Sequence, residues 1–194
     1  MDAKLPKMNN EQLTMDARLP KQTVFTAVTA VAAVMLVFLI AILFSPRDCV
    51  VARDISGGKV LFAWPISIGD SFEVTFIHSL NLSPVTDVIE WDGGSMVVRK
   101  SIFQTFGAGI PVPSDRIGTE LVRVGSHYEL IGIDAHMQSF TVMTQDAPNH
   151  RITLNGREAN LLGLAGSGKS VEVAVKRVPF VARAAVAMGL LKQQ

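Results

Sequence analysis

The chain has 194 residues, enough for one domain of ordinary size and a membrane segment. From Arg47 to the C-terminus it contains fourteen Lys and Arg residues and fourteen Asp and Glu residues, so this portion has no formal net charge. Nucleic-acid binding is therefore not expected, because it needs a concentrated basic surface. The only cysteine, Cys49, excludes a disulfide and a cysteine-based metal site within one chain.

Residues 1–23 are predicted to be a disordered cytoplasmic tail. The stretch Met1–Lys7 recurs as Met15–Lys21 with Arg18 in place of Lys4. Two copies do not make a repeat array. A duplicated start region, with Met15 as a second initiation site, explains them more simply.

Residues 24–44 contain no charge, Gly or Pro and predict a transmembrane helix. Twenty-one residues at about 1.5 Å each span about 31 Å, which matches a bilayer core of about 30 Å. The segment is longer than the apolar region of a secretory signal, and it ends in Ser45-Pro46-Arg47, which signal peptidase reads poorly. We therefore expect an uncleaved single-pass anchor. The excess of Lys and Arg before it, at Lys4, Lys7, Arg18 and Lys21 against Arg47 and Arg53, predicts a cytoplasmic N-terminus and an exported domain.

Residues 47–178 predict a mainly β domain, a sandwich or barrel, because short alternating runs are separated by Gly, Asn or Asp. Strands are expected at Cys49–Asp54, Lys59–Trp64, Phe72–His78, Val85–Trp91, Met96–Phe106, His127–Ile133, Ser139–Thr144, Arg151–Leu154 and Ser170–Val178. A loop is expected at Ala108–Gly118, because it contains two prolines. Residues 179–194 are expected to contain a short helix, packed on the domain or lying at the membrane surface.

The run Gly163–Ser170 matches the phosphate-binding pattern G-x-x-x-x-G-K-[ST]. That loop works only when a helix follows it, because the helix N-terminus holds the phosphate. Here the following residues, Ser170–Lys176, alternate as a strand. We therefore expect a Gly/Ser turn and no nucleotide.

The four histidines, His78, His127, His136 and His150, show no metal-ligand spacing, and no metal or other cofactor is expected. His78 extends the apolar face of Phe72, Val74 and Phe76, so the alternation predicts that it points inward. A buried imidazole needs a hydrogen-bond partner, which Asp87 or Glu90 could supply. Two interpretations stay open: a satisfied core histidine, or a pocket group with a tuned pKa.

Two further stretches carry a resemblance. The first comprises Phe76-Ile-His78-Ser79, then Ser83-Pro84-Val85 and Glu90; the second is Phe103-Gln-Thr-Phe-Gly107-Ala-Gly109-Ile-Pro111. With the membrane segment, they resemble an uncharacterised family, a domain of unknown function, of small membrane-anchored bacterial proteins. Members of that family are encoded beside TAXI-type TRAP transporters, which take up organic acids through a periplasmic binding protein. The resemblance covers roughly Val50–Pro179, and its motif positions are His78, Ser79, Pro84, Glu90, Gly107, Gly109 and Pro111.

The resemblance implies a partner rather than a reaction. We expect a non-enzymatic accessory subunit in the bacterial inner membrane, with its β domain in the periplasm and with the TRAP permease, its solute-binding protein, or both as partners. No catalytic residue is carried over. The alternative is a stand-alone ligand-binding or sensing module with His78 in its pocket. A hydrolase using His78 with Asp87 or Glu90 is the third hypothesis, although no nucleophile-elbow pattern accompanies these residues.

Overall fold

The structure is a computed structural model that describes residues 21–80, 82–105 and 118–189. The chain divides into two compact units, residues 1–42 and 43–194. The first unit contains most of helix α1, Lys21–Phe44. Its stretch Gln22–Phe44 has a mean hydropathy of 2.9, so this helix is long and apolar enough to cross a membrane. A helix of this kind near the N-terminus fits a membrane anchor or a signal sequence.

The second unit is mainly β, as predicted, with two antiparallel sheets. The four-stranded sheet has the order β2-β1-β11-β8. Its strands are β1 Pro46–Asp54, β2 Val60–Pro65, β8 Ser139–Met143 and β11 Ser170–Pro179. The seven-stranded sheet has the order β10-β9-β3-β4-β5-β7-β6. Its strands are β3 Ser71–Ile77, β4 Pro84–Trp91, β5 Met96–Phe103, β6 Glu120–Val124, β7 His127–Met137, β9 Arg151–Leu154 and β10 Arg157–Asn160.

The main core lies between the two sheets, and this makes the domain a sandwich rather than a closed barrel. Phe72 and Val74 of β3 are buried, as the alternation predicted, and they share one cluster with Val50 of β1 and Val173 of β11. A second, smaller cluster is centred on Val85, Phe103 and Leu130 of the seven-stranded sheet. Burial of these apolar side chains is the main force holding the sheets together.

Two short helices complete the second unit. Helix α2, Leu161–Ala165, was not predicted, and the side chain of Asn160 caps it by accepting the Gly163 N–H. Helix α3, Phe180–Ala187, lies within the predicted C-terminal helix and contacts β2 and β11. The predicted turn before the last strand is confirmed, because residues 166–169 lead into β11 rather than into a helix.

Most predicted strands are confirmed, with different ends. The strand predicted to reach Phe106 ends at Phe103, and the strand predicted to end at Ile133 continues to Met137. Strands β6 and β10 were not predicted. The loop predicted at Ala108–Gly118 lies almost wholly outside the described residues.

Candidate functional site

The connection between β3 and β4 carries the first of the two stretches on which the sequence resemblance rests, here called the first motif. Strand β3 ends at Ile77, and the chain turns between His78 and Ser83. The His78 N–H donates to the Ser83 carbonyl (2.9 Å), and the Leu82 N–H donates to the His78 carbonyl (2.9 Å). Pro84 then begins β4. At the first residue of a strand, the missing N–H of proline removes no hydrogen bond between strands. The motif loop, residues 78–83, is therefore closed at its base by backbone hydrogen bonds.

The second motif begins at the end of β5, next to the motif loop. The Ser83 hydroxyl lies 2.9 Å from the Thr105 hydroxyl, and Ser83 is buried. This bond joins residues that are 22 positions apart in the chain. The two motif stretches thus meet at one end of the seven-stranded sheet, which we call the motif end. Gly107, Gly109 and Pro111 lie outside the described residues.

Two leucines project from the motif loop. The exposed fractions of Leu80 and Leu82 are 69% and 74%. Leu82 also has a φ of +49°, which is uncommon for a residue other than Gly, Asn or Asp. Single exposed apolar residues are ordinary, but here two lie on one six-residue loop.

His78 does not continue the inward face of β3, because the strand ends one residue before it. It is half-buried, and its Nδ1 accepts the Leu80 N–H at 3.4 Å. Asp87 lies opposite Val74 and Glu90 lies opposite Ser71. At about 3.3 Å per residue these positions are roughly 13 and 23 Å along the sheet from His78. The predicted partnership of His78 with Asp87 or Glu90 is therefore wrong.

Glu90 instead belongs to a charged group at the other end of β4. Both of its carboxylate oxygens accept from the Arg99 guanidinium at 3.1 Å, and Arg99 also contacts Asp134. Glu90 and Arg99 thus form a bidentate ion pair on a partly exposed surface. This pair accounts for the position of Glu90 without a binding role. Ser79 and Pro84 are exposed at the motif end.

Asp87 occupies the core side of the sheet, where a carboxylate is unusual. Its cross-strand neighbour is Ser101 of β5, which is 2% exposed. Burial raises the pKa of Asp87, and the nearby Ser101 hydroxyl offsets part of that rise. The Ser101 Oγ nevertheless has no well-formed hydrogen bond within the described part of the chain.

His150 is the second inward polar group near the motif end. Its ring lies 5.5 Å from the Phe76 ring, and the Ile77 N–H donates to the Pro148 carbonyl at 2.8 Å. The buried Nδ1 of His150 has no hydrogen-bond partner among the described residues. Burial lowers the pKa of His150, so the neutral imidazole is favoured.

The sequence contained a signal for one of these inward groups but not for the others. Val85, Ile89 and Trp91 alternate along β4 and are buried, which places Asp87 on the same face. Ser101 and His150 carry no such signal, because a serine in a strand and a histidine before one are common. Across the described ranges, no group of three or more metal-ligating side chains comes together.

One comparison with known proteins gives a match, and the match covers the motif end. A search of curated proteins and a search of solved structures found no match. Residues 72–161 match the model of a family described as a domain of unknown function (DUF1850). The match runs from β3 to the start of α2 and is narrower than the expected Val50–Pro179, leaving β1, β2 and β11 outside it. Residues 72–161 of this chain are therefore similar to that uncharacterised family, and the resemblance to a domain of unknown function is confirmed over this range.

Proposed function

We propose that this chain is a non-enzymatic, membrane-anchored accessory subunit of a TAXI-type TRAP uptake system. Its β domain lies in the periplasm of a bacterial cell, and its anchor lies in the inner membrane. The family resemblance supports the identity of the partner. The meeting of the two motif stretches at one loop end, through Ser83 and Thr105, supports a docking role.

Retention of the anchor rests on the sequence around α1. The apolar stretch is longer than a signal-peptide core, and Ser45-Pro46-Arg47 follows it instead of a small-residue cleavage site. The Lys and Arg residues ahead of α1 favour a cytoplasmic N-terminus.

The shape of the β domain favours docking at the motif end. The chain enters the domain at Pro46, and Asp48 accepts a hydrogen bond from the Trp91 side chain at 3.1 Å. Trp91 and Pro84 are the two ends of β4, so they lie roughly 23 Å apart. The sheet therefore carries the motif loop to the end opposite the chain entry, where a periplasmic partner can reach it.

The experiment is a mild-detergent purification of the tagged protein from its own host, with co-purifying proteins quantified by mass spectrometry. We expect a TRAP permease or its solute-binding protein with the unmodified chain, and loss of that partner from the double variant Leu80→Asp/Leu82→Asp. Ile68→Asp is the matched control, because Ile68 is 70% exposed but lies away from the motif loop. Recovery of the chain alone, under conditions that preserve other complexes, would refute a stable subunit.

The second candidate function is a stand-alone ligand-binding or sensing module with His78 at its pocket. The observation that favours it is that two buried polar atoms, Ser101 Oγ and His150 Nδ1, have no well-formed hydrogen bond among the described residues. This function predicts thermal stabilisation by an organic acid, lost in His78→Ala. If no organic acid in a panel raises the unfolding temperature of the unmodified chain, this function is contradicted.

A further inference from the structure

Strand β8, Ser139–Met143, is an edge of the four-stranded sheet, and no described strand lies on its outer side. An open edge presents unpaired N–H and C=O groups to any extended chain. Proteins therefore usually protect their edges with charged residues, proline or a covering element. The sequence of β8, Ser-Phe-Thr-Val-Met, contains neither a charged residue nor proline.

The other edge strands of the two described sheets are protected. Strand β2 ends at Pro65 and is contacted by helix α3. Strand β6 carries Glu120 and Arg123, and β10 carries Arg157 and Glu158. Among the described edges, β8 alone lacks such protection.

The backbone of β8 shows which of its groups are free. Thr144 follows the strand; its N–H donates to the Lys169 carbonyl at 2.8 Å, and its carbonyl accepts from the Gly168 N–H at 2.7 Å. Both groups of Thr144 thus point toward the chain that leads into β11. Because the backbone groups of successive residues point to alternate sides of a strand, those of every odd-numbered residue of β8 point to the free edge, namely Ser139, Thr141 and Met143.

Strand β11 gives the same result independently. Ser170 lies opposite Met143, and the Ser170 carbonyl accepts from the Ile55 N–H at 2.9 Å, on the side away from β8. Met143 and Ser170 are therefore a pair without mutual backbone hydrogen bonds. The N–H and C=O groups of Met143 must point outward.

The side chains of β8 divide by face. Phe140 and Val142 pack against the main core and are only partly buried. The other three side chains are exposed, and Met143 is 54% exposed. The edge therefore combines free backbone groups with an incompletely covered apolar face.

We infer that β8 pairs with β8 of a second copy of this chain, antiparallel about a two-fold axis at Thr141. Thr141 then lies opposite its own counterpart, and Ser139 lies opposite Met143 of the other copy. All three free N–H groups and all three free C=O groups of each edge find partners in this register. Phe140 lies opposite Val142, a favourable pair of an aromatic and a β-branched side chain that covers their exposed flanks.

Self-pairing fits this edge better than pairing with another edge of a second copy. A two-fold contact uses the same edge on both copies and closes at two, whereas β8 on β6 or β10 would leave further edges free and continue without end. No like charges are brought together. Glu172, which lies opposite Thr141 in β11, already accepts from Lys176 at 3.1 Å.

The contact involves five residues a side, which is fewer than the about 20–30 residues a side of a stable interface. We therefore expect a dimer that dissociates on dilution, and a covalent trap is the suitable readout. This inference goes beyond the proposed function and does not depend on it.

The test uses the purified full chain in detergent, oxidised with copper phenanthroline in air and resolved on a non-reducing gel. Thr141→Cys is expected to form a disulfide-linked dimer, because directly opposite residues have Cα atoms about 5.5 Å apart, within disulfide range. Ser139→Cys is the matched control, exposed on the same face of the same strand. Its counterpart lies about 13 Å away along the strand, so it should form no dimer. The unmodified chain measures any background from the buried Cys49.

A mixture of two differently tagged variants, Ser139→Cys and Met143→Cys, tests the register separately. These positions lie opposite each other across the two-fold axis, so a disulfide between the two tags is expected. Unfolding temperatures equal to that of the unmodified chain would show that the cysteine variants are folded, as their exposed positions predict.

Three results would overturn the inference. Equal dimer from Thr141→Cys and Ser139→Cys would mean that association elsewhere in the chain brings the edges into random collision. Dimer from Thr141→Cys without a disulfide in the mixture would contradict the two-fold register. No disulfide in either experiment would show that β8 does not pair with itself. Recovery of a TRAP partner together with that last result would leave the proposed function standing and refute only the dimer.

Discussion

The Ser83 hydroxyl lies 2.9 Å from the Thr105 hydroxyl, and this contact joins the loop after β3 to the end of β5. Ser83 is 7% exposed, so the bond is shielded from water on one side. Each residue belongs to one of the two stretches that carry the resemblance described from the sequence. Their contact brings two stretches that are separated in the sequence together at the motif end.

Thr105→Val is expected to loosen this surface. Valine keeps the shape of threonine but leaves the buried Ser83 hydroxyl without its partner, which costs about 1 kcal/mol. Thermal unfolding of the detergent-solubilised chain measures the loss. Thr141→Val, at an exposed position of β8, is the control and should change the unfolding free energy by less than about 0.5 kcal/mol. Equal effects from the two variants would show that the Ser83–Thr105 bond does not hold the loop.

Asp87→Asn is expected to stabilise the domain at neutral pH. Burial raises the pKa of Asp87 above its ordinary value of 3.8, so ionisation of this carboxyl opposes folding. This destabilisation by the ionised carboxyl is absent below the pKa of Asp87 in the unfolded chain. It grows as the pH rises between the unfolded-state and folded-state pKa values, and it reaches its full size above the folded-state pKa. Asparagine removes it at every pH.

The measurement is the unfolding temperature of Asp87→Asn and of the unmodified chain, from a pH below the ordinary pKa of 3.8 up to neutral pH. The variant should be the more stable at the upper end, and the difference should shrink toward the lower end. A variant that is less stable at neutral pH would show that the ionised carboxylate has a favourable partner.

Gly132→Ala is expected to be much more destabilising than Gly156→Ala. Both glycines have positive φ, +73° and +75°, so alanine at either site adds backbone strain of about 1–2 kcal/mol. A Cβ at Gly132 would also lie 2.6 Å from the Gly118 carbonyl oxygen, whereas a Cβ at Gly156 would meet nothing within 4 Å. Steric overlap of this kind adds about 1–3 kcal/mol. Similar unfolding temperatures for the two variants would contradict the close approach of β7 to residue 118.

Cys49 is expected to be unreactive in the folded protein. Its side chain is fully buried, and burial raises the pKa of the thiol, so little reactive thiolate is available at neutral pH. Maleimide labelling followed by mass spectrometry should show modification only after denaturant is added. Fast labelling of the native chain, or an acyl group already on Cys49, would contradict the burial of this residue.

The alternation of side chains predicted much of the sandwich, because Phe72, Val74 and the other inward residues of β3 and β4 follow a period of two. Strand β10 was missed because Arg157–Asn160 has low β propensity. The signal was the Asn155-Gly156 turn, since both residues adopt positive φ and close a two-residue hairpin onto β9. The pairing of β9 with β10 therefore follows from the Asn155-Gly156 turn and not from the strand propensity of β10.

The site was harder to predict, because the alternation of inward and outward side chains holds only inside a strand. It placed His78 inward, but β3 ends at Ile77 and the residue belongs to a turn. Applied within β4, the same rule places Asp87 correctly on the core face. The contact between Ser83 and Thr105 depends on the order of strands in the sheet, which the sequence alone does not specify.

The most direct test of the docking account is site-specific photo-crosslinking in the native host. A photoreactive amino acid replaces Leu82 in one variant and Ile68 in the other; the two positions are similarly exposed, at 74% and 70%. The account predicts a crosslink from position 82 to a TRAP permease or its solute-binding protein, and none from position 68. Crosslinks to such a partner from position 68 but not from 82 would contradict docking at the motif end. No crosslink to any TRAP component from either position would contradict the accessory-subunit proposal itself.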